Sequence, residues 1–350
     1  MENKTPLWSN DHPQIISNLA QHTISKSYYG LGTNIVLTAF GSAEQRDLDD
    51  AYALIARYED ILTVNRDHSE LMAVNQAAGQ HPVQVSHASY HLAKKAIAIS
   101  LEDNGFDALI GPLVKLWHIG FDDAHVPSEA EIQERLKLID PHDVELNDHD
   151  MTIFLKKPGM EIDLGAIAKG YIADRIRDLW RSRDLRAGII DLGGNILMHG
   201  TAPKHQDGLW RIGVQDPSAK RGQSILVATL PECSAVTSGI YERHLEENGQ
   251  DYHHIIDPAT GHPRKTALAG VTVFSGESIT GEIETGRLFF AGQPLPNWIN
   301  DHPDVMGAVL SIRHAMFKLS VSNQIRFALL TIATTFSLSM TDLNCIVIWH

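Results

Sequence analysis

The sequence predicts a mixed α/β domain of the α+β kind, on three observations. Stretches with helical periodicity and stretches with strand periodicity interleave irregularly, which disfavours a doubly wound parallel sheet. No repeat, low-complexity block or Pro/Gly/Ser linker is visible in the 350 residues, a length that allows one large domain or two, either with a sizeable core. The composition, 43% hydrophobic and 21% charged, is that of a globular protein.

The elements follow in order. Residues 1–25 are polar and expected to form a flexible arm. Thr33 to Phe40 reads as a buried strand, preceded by Leu31-Gly32. Ser42 with Gln45 predicts a capping box, and the helix after it presents Leu48, Ala51, Tyr52, Ile55, Tyr58 and Leu62 on one face. Asn65 to Glu70 is polar. Ser86 opens a helix through Leu101, with Leu92, Ala96 and Ile99 inward. A loop and short helix span Asn104 to Trp117, punctuated by glycine and proline. Ser128 and Glu131 cap a charged helix, and Met151 to Leu155 alternates as a strand.

The stretch Glu161 to Arg175 is a strand end, a glycine turn and a helix. Ile167, Ala168, Tyr171, Ile172, Ile176, Leu179 and Trp180 fall at helical spacing, so one face is apolar. Lys169 lies at the edge of that face. A glycine turn into a helix start, beside a lysine, suits an anion, because unpaired N–H groups and the helix dipole attract phosphate. The spacing is not that of a P-loop.

Further strands are expected at Ala187 to Asp191, Trp210 to Val214, Ser224 to Leu230 and Val271 to Phe274. Between the last two lie Thr237-Ser238-Gly239 and His253-His254-Ile255-Ile256-Asp257-Pro258-Ala-Thr-Gly261, in which Asp257-Pro258-Ala-Thr-Gly261 is a good turn signature. Thr280 to Ala291 is a helix, and Val305 to Ile312 with Met316 to Ser320 a closing hairpin.

Net charge is −14, which argues against general nucleic-acid binding. Cys233 and Cys345 are far apart and lack metal spacing, so each is expected to be an inert small residue. No apolar run is long enough to span a bilayer. No signal peptide or lipobox is visible, so a cytoplasmic location is expected, with export the alternative for a trimmed N-terminus. No Gly-x-Ser-x-Gly elbow and no Gly-x-Gly-x-x-Gly after a strand is present.

Carboxylates gather at strand ends beside glycines: Asp107, Asp163, Asp191 and Asp257. Strand ends are where α/β proteins place sites. Glu282, Glu284 and Thr285 are hard oxygen donors, which suit Mg²⁺; taken singly, Glu282 and Glu284 read more readily as solvated helix residues.

Together these segments resemble the FAD:protein FMN transferases, the ApbE family, over roughly residues 25 to 330. The resemblance is carried by Leu31-Gly-Thr, Ser69-Glu-Leu, Gly105-Phe-Asp107, Gly111-Pro-Leu-Val, Asp163-Leu-Gly-Ala-Ile-Ala-Lys-Gly-Tyr-Ile-Ala-Asp174, Asp191-Leu-Gly-Gly-Asn195, Trp210-Arg-Ile-Gly-Val-Gln-Asp-Pro217, Thr237-Ser-Gly with Tyr241-Glu-Arg, and His254-Ile-Ile-Asp-Pro-Ala-Thr-Gly261. It implies a T-fold-like single domain over residues 26–335, with two lobes and the site between them, and a tail of unknown role at 336–350. It further implies FAD as substrate, Mg²⁺ as cofactor, and transfer of FMN to a threonine of an acceptor flavoprotein that carries an Asp-x-x-Thr-like motif, with AMP leaving. The alternatives are hydrolysis of FAD to FMN and AMP, or FAD binding without catalysis.

By position, the resemblance implies FAD contacts at Leu31, Asn65, Gly105, Phe106, Asp107, Asp163, Lys169 and Ile256. It implies a metal ligand in the Ala166 carbonyl and a second metal segment at Gly281 to Gly292. In that segment Glu282 stands where the family usually has aspartate, and Gly286 where it has threonine, with Thr285 one residue before. Asn65 stands where the family tends to have an aromatic residue. His254 is expected to deprotonate the acceptor hydroxyl, a histidine being suited to that at neutral pH, with Asp257 and Lys169 as the other catalytic residues.

Overall fold

The computed structural model describes residues 22–241, 243–247, 249–312, 316–321, 325–329 and 346–348. Strand β1 (Thr23–Gly30) begins inside the stretch expected to be an arm and pairs with β2 (Thr33–Phe40); residues 1–21 of that arm lie outside the described residues. Helix α1 (Gln45–Leu62) follows. Ser42 does not cap it. Glu44 is the cap residue, and its backbone N–H donates to the Asp47 carboxylate at 2.8 Å, which sets the start further along the chain.

Next come α2 (Glu70–Gln76), β3 (Val83–Gln84), α3 (His87–Ser100), α4 (Gly111–Trp117), α5 (Glu129–Leu136), β4 (Val144–Asn147) and β5 (Thr152–Leu155). Ser86 and Ser128 accept from the N–H groups of Ser89 and Glu131, so α3 and α5 start where the capping signals put them. The expected central helix is α6 (Gly165–Ser182).

After it lie β6 (Ala187–Asp191), β7 (Asn195–Gly200), β8 (Trp210–Gln215), β9 (Ser224–Leu230) and β10 (Cys233–Gly239). Then come β11 (His244–Glu247), β12 (Gln250–His253), β13 (Leu268–Ser275), α7 (Ser278–Ala291), α8 (Trp298–Asp301) and β14 (Val305–Ile312). The chain closes with β15 (Met316–Val321), β16 (Arg326–Leu329) and β17 (Ile346–Ile348). Of the stretch expected to be a tail, Ile346–Ile348 pairs with β15; its other residues, and with them Cys345, lie outside the described ones.

Among the described residues nine strands form one sheet in the order β1-β2-β6-β7-β10-β13-β14-β15-β17, and every pairing described in it is antiparallel. Hence the mixed, non-alternating pattern of the sequence: no βαβ crossover is needed. β13 is buried at every position, so it is covered on both faces. On one face α1 and α6 pack through Leu48, Ile55, Ile172, Ile176 and Trp180 against Ile35, Leu37 and Ile190. On the other, a small sheet of β16, β9 and β8 closes over Phe40, Trp210, Leu226, Cys233 and Phe274. Each large side chain so buried contributes about 1.5–3 kcal/mol. Burial pushes the Cys233 thiol up to about 12, which fits an inert core residue.

The helices between β2 and α6 have a core of their own around Leu71, Leu92, Leu109, Leu113 and Trp117. Ile167 of α6, Ile256, and Ile279 and Ile283 of α7 plug into it. The starts of α6 and α7 therefore join the helical part to the sheet. Among the described residues, no helix is long and apolar enough to cross a membrane.

Candidate active site

The site begins at the turn between β1 and β2. Leu31 and Gly32 both have positive φ, 53° and 70°, the arrangement of a two-residue hairpin turn that matches strand twist. A leucine in the left-handed region is strained, which marks the position as special. Thr33 beyond it packs against the Gly193 backbone, where a Cβ would lie 2.1 Å from Thr33 Oγ1. Gly193 is thus fixed by close approach. Its N–H donates to Asp191 Oδ1 at 2.9 Å, and its carbonyl accepts from Lys169 Nζ at 3.4 Å.

The start of α6 is held from the other side. Both the carbonyl and the N–H of Ile162 bond to the buried Asn75 amide, at 3.1 and 2.8 Å. The Asp163 N–H donates to the Ala108 carbonyl at 2.8 Å, and Asp163 Oδ1 accepts from the Gly165 N–H at 2.8 Å. No side chain caps the helix at Leu164, and Ala166 is exposed in its first turn. Gly105, with φ of 93°, is pressed against Phe290 of α7, where a Cβ would lie 2.1 Å from the ring. Phe106 packs on the helical core. Asp107 Oδ1 accepts from the Leu109 N–H at 2.7 Å, and burial raises its carboxyl to about 7.

Lys169 is the electrostatic centre. Burial raises the carboxyls of Asp191 and Glu282, and in both the charge of Lys169 opposes that rise. Glu282 Oε1 also accepts from Asn195 Nδ2 at 2.7 Å. The structure therefore brings Lys169, Asp191, Gly193 and Glu282 to one place, with Ala166 one turn before Lys169 on α6. Carboxylate and carbonyl oxygens there suit a hard cation. Among the described residues no three His, Cys, Asp or Glu side chains converge as a metal cage, so a cation at Glu282 would draw its other oxygens from carbonyls, phosphates or water.

The remaining residues of that metal segment do not join Glu282. Thr285 is fully buried; its hydroxyl accepts from Ser238 Oγ and donates to the Glu282 carbonyl, both at 2.9 Å. It thus locks α7 to β10 rather than facing a ligand. Gly286 has no side chain to offer, and a Cβ there would meet nothing within 4 Å. Glu284 is buried on another face of α7, bonded to Trp298 Nε1 at 2.6 Å and Arg287 Nε at 3.0 Å.

His254 is half-buried. Its Nδ1 lies 3.2 Å from the Arg243 carbonyl, which can only accept, so Nδ1 carries the proton and Nε2 is left as the base. Burial pushes this imidazole down to about 4, with Arg243, His253 and Lys169 adding to the effect. His253 is turned away: its Nε2 donates to the Arg264 carbonyl and its Nδ1 accepts from the Ile255 N–H. Asp257, expected to be catalytic, is instead committed to its turn. Its Oδ1 accepts from the Ala259 N–H at 3.0 Å, and its Oδ2 pairs with Arg264 at 2.7 Å. Ile256 is buried in the helical core. Asn65 is exposed, its N–H donating to Thr63 Oγ1.

Sequence reasoning missed two devices. Asp174 and Arg177 sit on the buried side of α6, seven and ten residues after Ile167. Asp174 accepts from the N–H groups of Ser278 and Ile279 at 2.8 and 2.9 Å, capping α7 from outside its own chain segment. Arg177 pairs with it at 3.2 Å and donates to the Gly276 carbonyl at 2.6 Å. A carboxylate and a guanidinium at apolar-face spacing were the available signal. The second device is Asn195 with Ser278: Asn195 closes the Asp191-Leu-Gly-Gly motif, but nothing in the sequence ties it to Ser278.

Comparison with known proteins gives a consistent result. The pattern of the ApbE family matches residues 31–310. A FAD:protein FMN transferase of Klebsiella pneumoniae (strain 342) is 45% identical over 263 residues, covering 75% of this chain and 80% of that protein. One of Treponema pallidum (strain Nichols) is 37% identical over 257 residues, covering 70% and 71%. Among solved structures, the ApbE protein of Thermotoga maritima superposes with a TM-score of 0.74 at 28% identity, over 83% of this chain and 94% of that one. The flavin transferase ApbE of Vibrio cholerae gives 0.73 at 24% identity, over 87% and 98%, a likeness of fold.

Proposed function

The chain belongs to the ApbE family, and on that premise we propose that it transfers the FMN part of FAD to a threonine hydroxyl of an acceptor flavoprotein, releasing AMP. The observation that carries the proposal is the placement of Lys169, whose Nζ lies 3.4 Å from the Gly193 carbonyl in the turn that follows Asp191, with its charge also favouring the ionised form of Glu282. Phosphoryl transfer needs charge neutralised on the pyrophosphate, a hydroxyl in line and a base in reach. Lys169 and the start of α6 supply the first. His254, neutral at physiological pH with Nε2 free of its proton, supplies the last.

In this reading the threonine oxygen bonds to the phosphorus of the FMN half. The bond from that phosphorus to the bridging oxygen breaks, and AMP leaves with that oxygen. The hydroxyl proton passes to His254 Nε2. Glu282 and the Ala166 carbonyl are the residues that would hold Mg²⁺, which when bound neutralises charge on the pyrophosphate. The acceptor is expected to present an Asp-x-x-Thr-like segment.

The test is AMP release from FAD, with and without Mg²⁺ and with and without a protein bearing such a segment, followed by the mass of the acceptor. AMP that requires both, with flavin on the threonine, supports the proposal. AMP without acceptor would make the protein an FAD pyrophosphatase. Tight FAD binding with no AMP under any condition would leave a flavin-binding protein.

A further inference from the structure

Asn195 directly follows the Gly193-Gly194 turn and is fully buried, as are Ser234 of β10 and Ser278 at the start of α7. Its Nδ2 donates to Glu282 Oε1 at 2.7 Å. Its Oδ1 accepts from Ser278 Oγ at 2.8 Å. Ser234 Oγ donates in turn to Ser278 Oγ at 2.9 Å, with the Ile196 carbonyl further off at 3.3 Å.

Chemistry fixes the directions. An ionised carboxylate only accepts, so the amide must turn its NH₂ to Glu282 and its oxygen to Ser278. Ser278 then spends its one proton on Asn195 and has to accept from Ser234. The chain ties β10, α7 and β7 to one carboxylate. Turning the Asn195 amide over would set its oxygen against the Glu282 carboxylate and its NH₂ against the Ser278 hydroxyl, so this amide orientation is held.

We propose that Asn195 is a positioning residue for Glu282: anchored through Ser278 and Ser234, it fixes one carboxylate oxygen and so sets where the other meets a divalent cation. The inference rests on the reading that Glu282 helps hold that cation. A glutamate side chain loses substantial rotamer freedom when it is ordered. The Asn195 bond orders Glu282 before any cation arrives, as groups behind metal ligands do elsewhere.

The experiment is Mn²⁺ titration of the full chain by electron paramagnetic resonance, with FAD affinity measured separately in EDTA by flavin fluorescence. Asn195→Ala is expected to lower Mn²⁺ affinity by about ten- to a hundredfold, while FAD affinity without metal changes less than about twofold. Ser278→Ala keeps the Asn195–Glu282 bond but removes its anchor. It is expected to cost about three- to tenfold in Mn²⁺ affinity, and it carries the test if Asn195→Ala does not fold. Unchanged Mn²⁺ affinity in the folded variants, with Glu282→Gln abolishing binding, overturns the positioning role and leaves the metal reading standing. Equal losses of FAD and Mn²⁺ affinity would assign Asn195 a purely structural role and also overturn it. If Glu282→Gln leaves Mn²⁺ binding unchanged, the metal reading fails and takes the proposal with it.

Discussion

Gly170 and Glu282 meet where α6 crosses α7: a Cβ built on Gly170 would lie 2.7 Å from Glu282 Cγ and 2.6 Å from the Ser278 carbonyl. The lack of a side chain at Gly170 is what lets Glu282 come beside Lys169. Gly170→Ala would gain about 1 kcal/mol of helix propensity but must push α7 away. A net loss of about 1–3 kcal/mol is expected, as for other overpacked sites, with weaker divalent-ion binding. Urea denaturation and Mn²⁺ titration check both. A variant as stable as the parent would show that the helices separate freely.

Asp174→Asn removes a buried charge that faces Arg177 and caps two N–H groups of α7. It leaves Arg177 with Glu277 as its carboxylate partner, at 2.7 Å, and weakens the cap, so a loss of about 1–3 kcal/mol is expected. Because the cap sets the start of α7, Glu282 should shift as well, and Mn²⁺ affinity should fall with stability.

The imidazole of His254, pushed down to about 4, is neutral throughout the physiological range. Its folded pKa lies below its unfolded one, so the stability it contributes is lost as pH falls from 6.5 toward 4. The flavin-transfer rate should be flat between pH 6 and 8 as far as this group is concerned. An acid limb should appear only near pH 4, and His254→Ala should remove most of the rate. A midpoint near 6.5 that disappears in His254→Ala would contradict the buried environment.

Asp107 behaves in the opposite sense. Burial raises its carboxyl to about 7, above the unfolded value. The folded state therefore favours the protonated form, and stability declines as pH rises from about 4 through 7. Asp107→Asn keeps the acceptor for the Leu109 N–H and removes the charge. At pH 8 the ligand-free variant should be more stable than the parent by about 1–3 kcal/mol, and at pH 4 the two should match. Chemical denaturation at the two pH values decides it.

Lys169→Ala removes a charge that acts on Asp191, Glu282 and His254 and should weaken FAD binding at least about tenfold, the cost of a charge-assisted contact. Lys204, whose ammonium sits over the Phe40 ring at 5.7 Å, lies outside the motifs, and Lys204→Ala should bind FAD as the parent does. Equal behaviour of the two variants would remove the basis for placing the pyrophosphate at α6.

Much of this molecule was legible in the sequence because the signals are local. The caps at Ser86 and Ser128, the apolar face of α6 and the strand at Ala187 to Asp191 each depend on neighbours within a few residues, and the structure holds them. The Leu31-Gly32, Asp163 and Asp191-Leu-Gly-Gly motifs likewise sit in strained or close-packed turns that only certain residues tolerate. What tertiary structure decided are the contacts between residues far apart in sequence. Thr285 looked like an oxygen donor for a cation, yet Ser238 takes its hydroxyl. Asp257 looked catalytic, yet Arg264 and its own turn consume its carboxylate. Asn195, Asp174 and Ser278 looked like motif residues or nothing at all, and they set the position of Glu282. A hydrogen bond depends on distance and direction in space, and a residue's neighbours across a sheet or between helices are not written in the order of the chain.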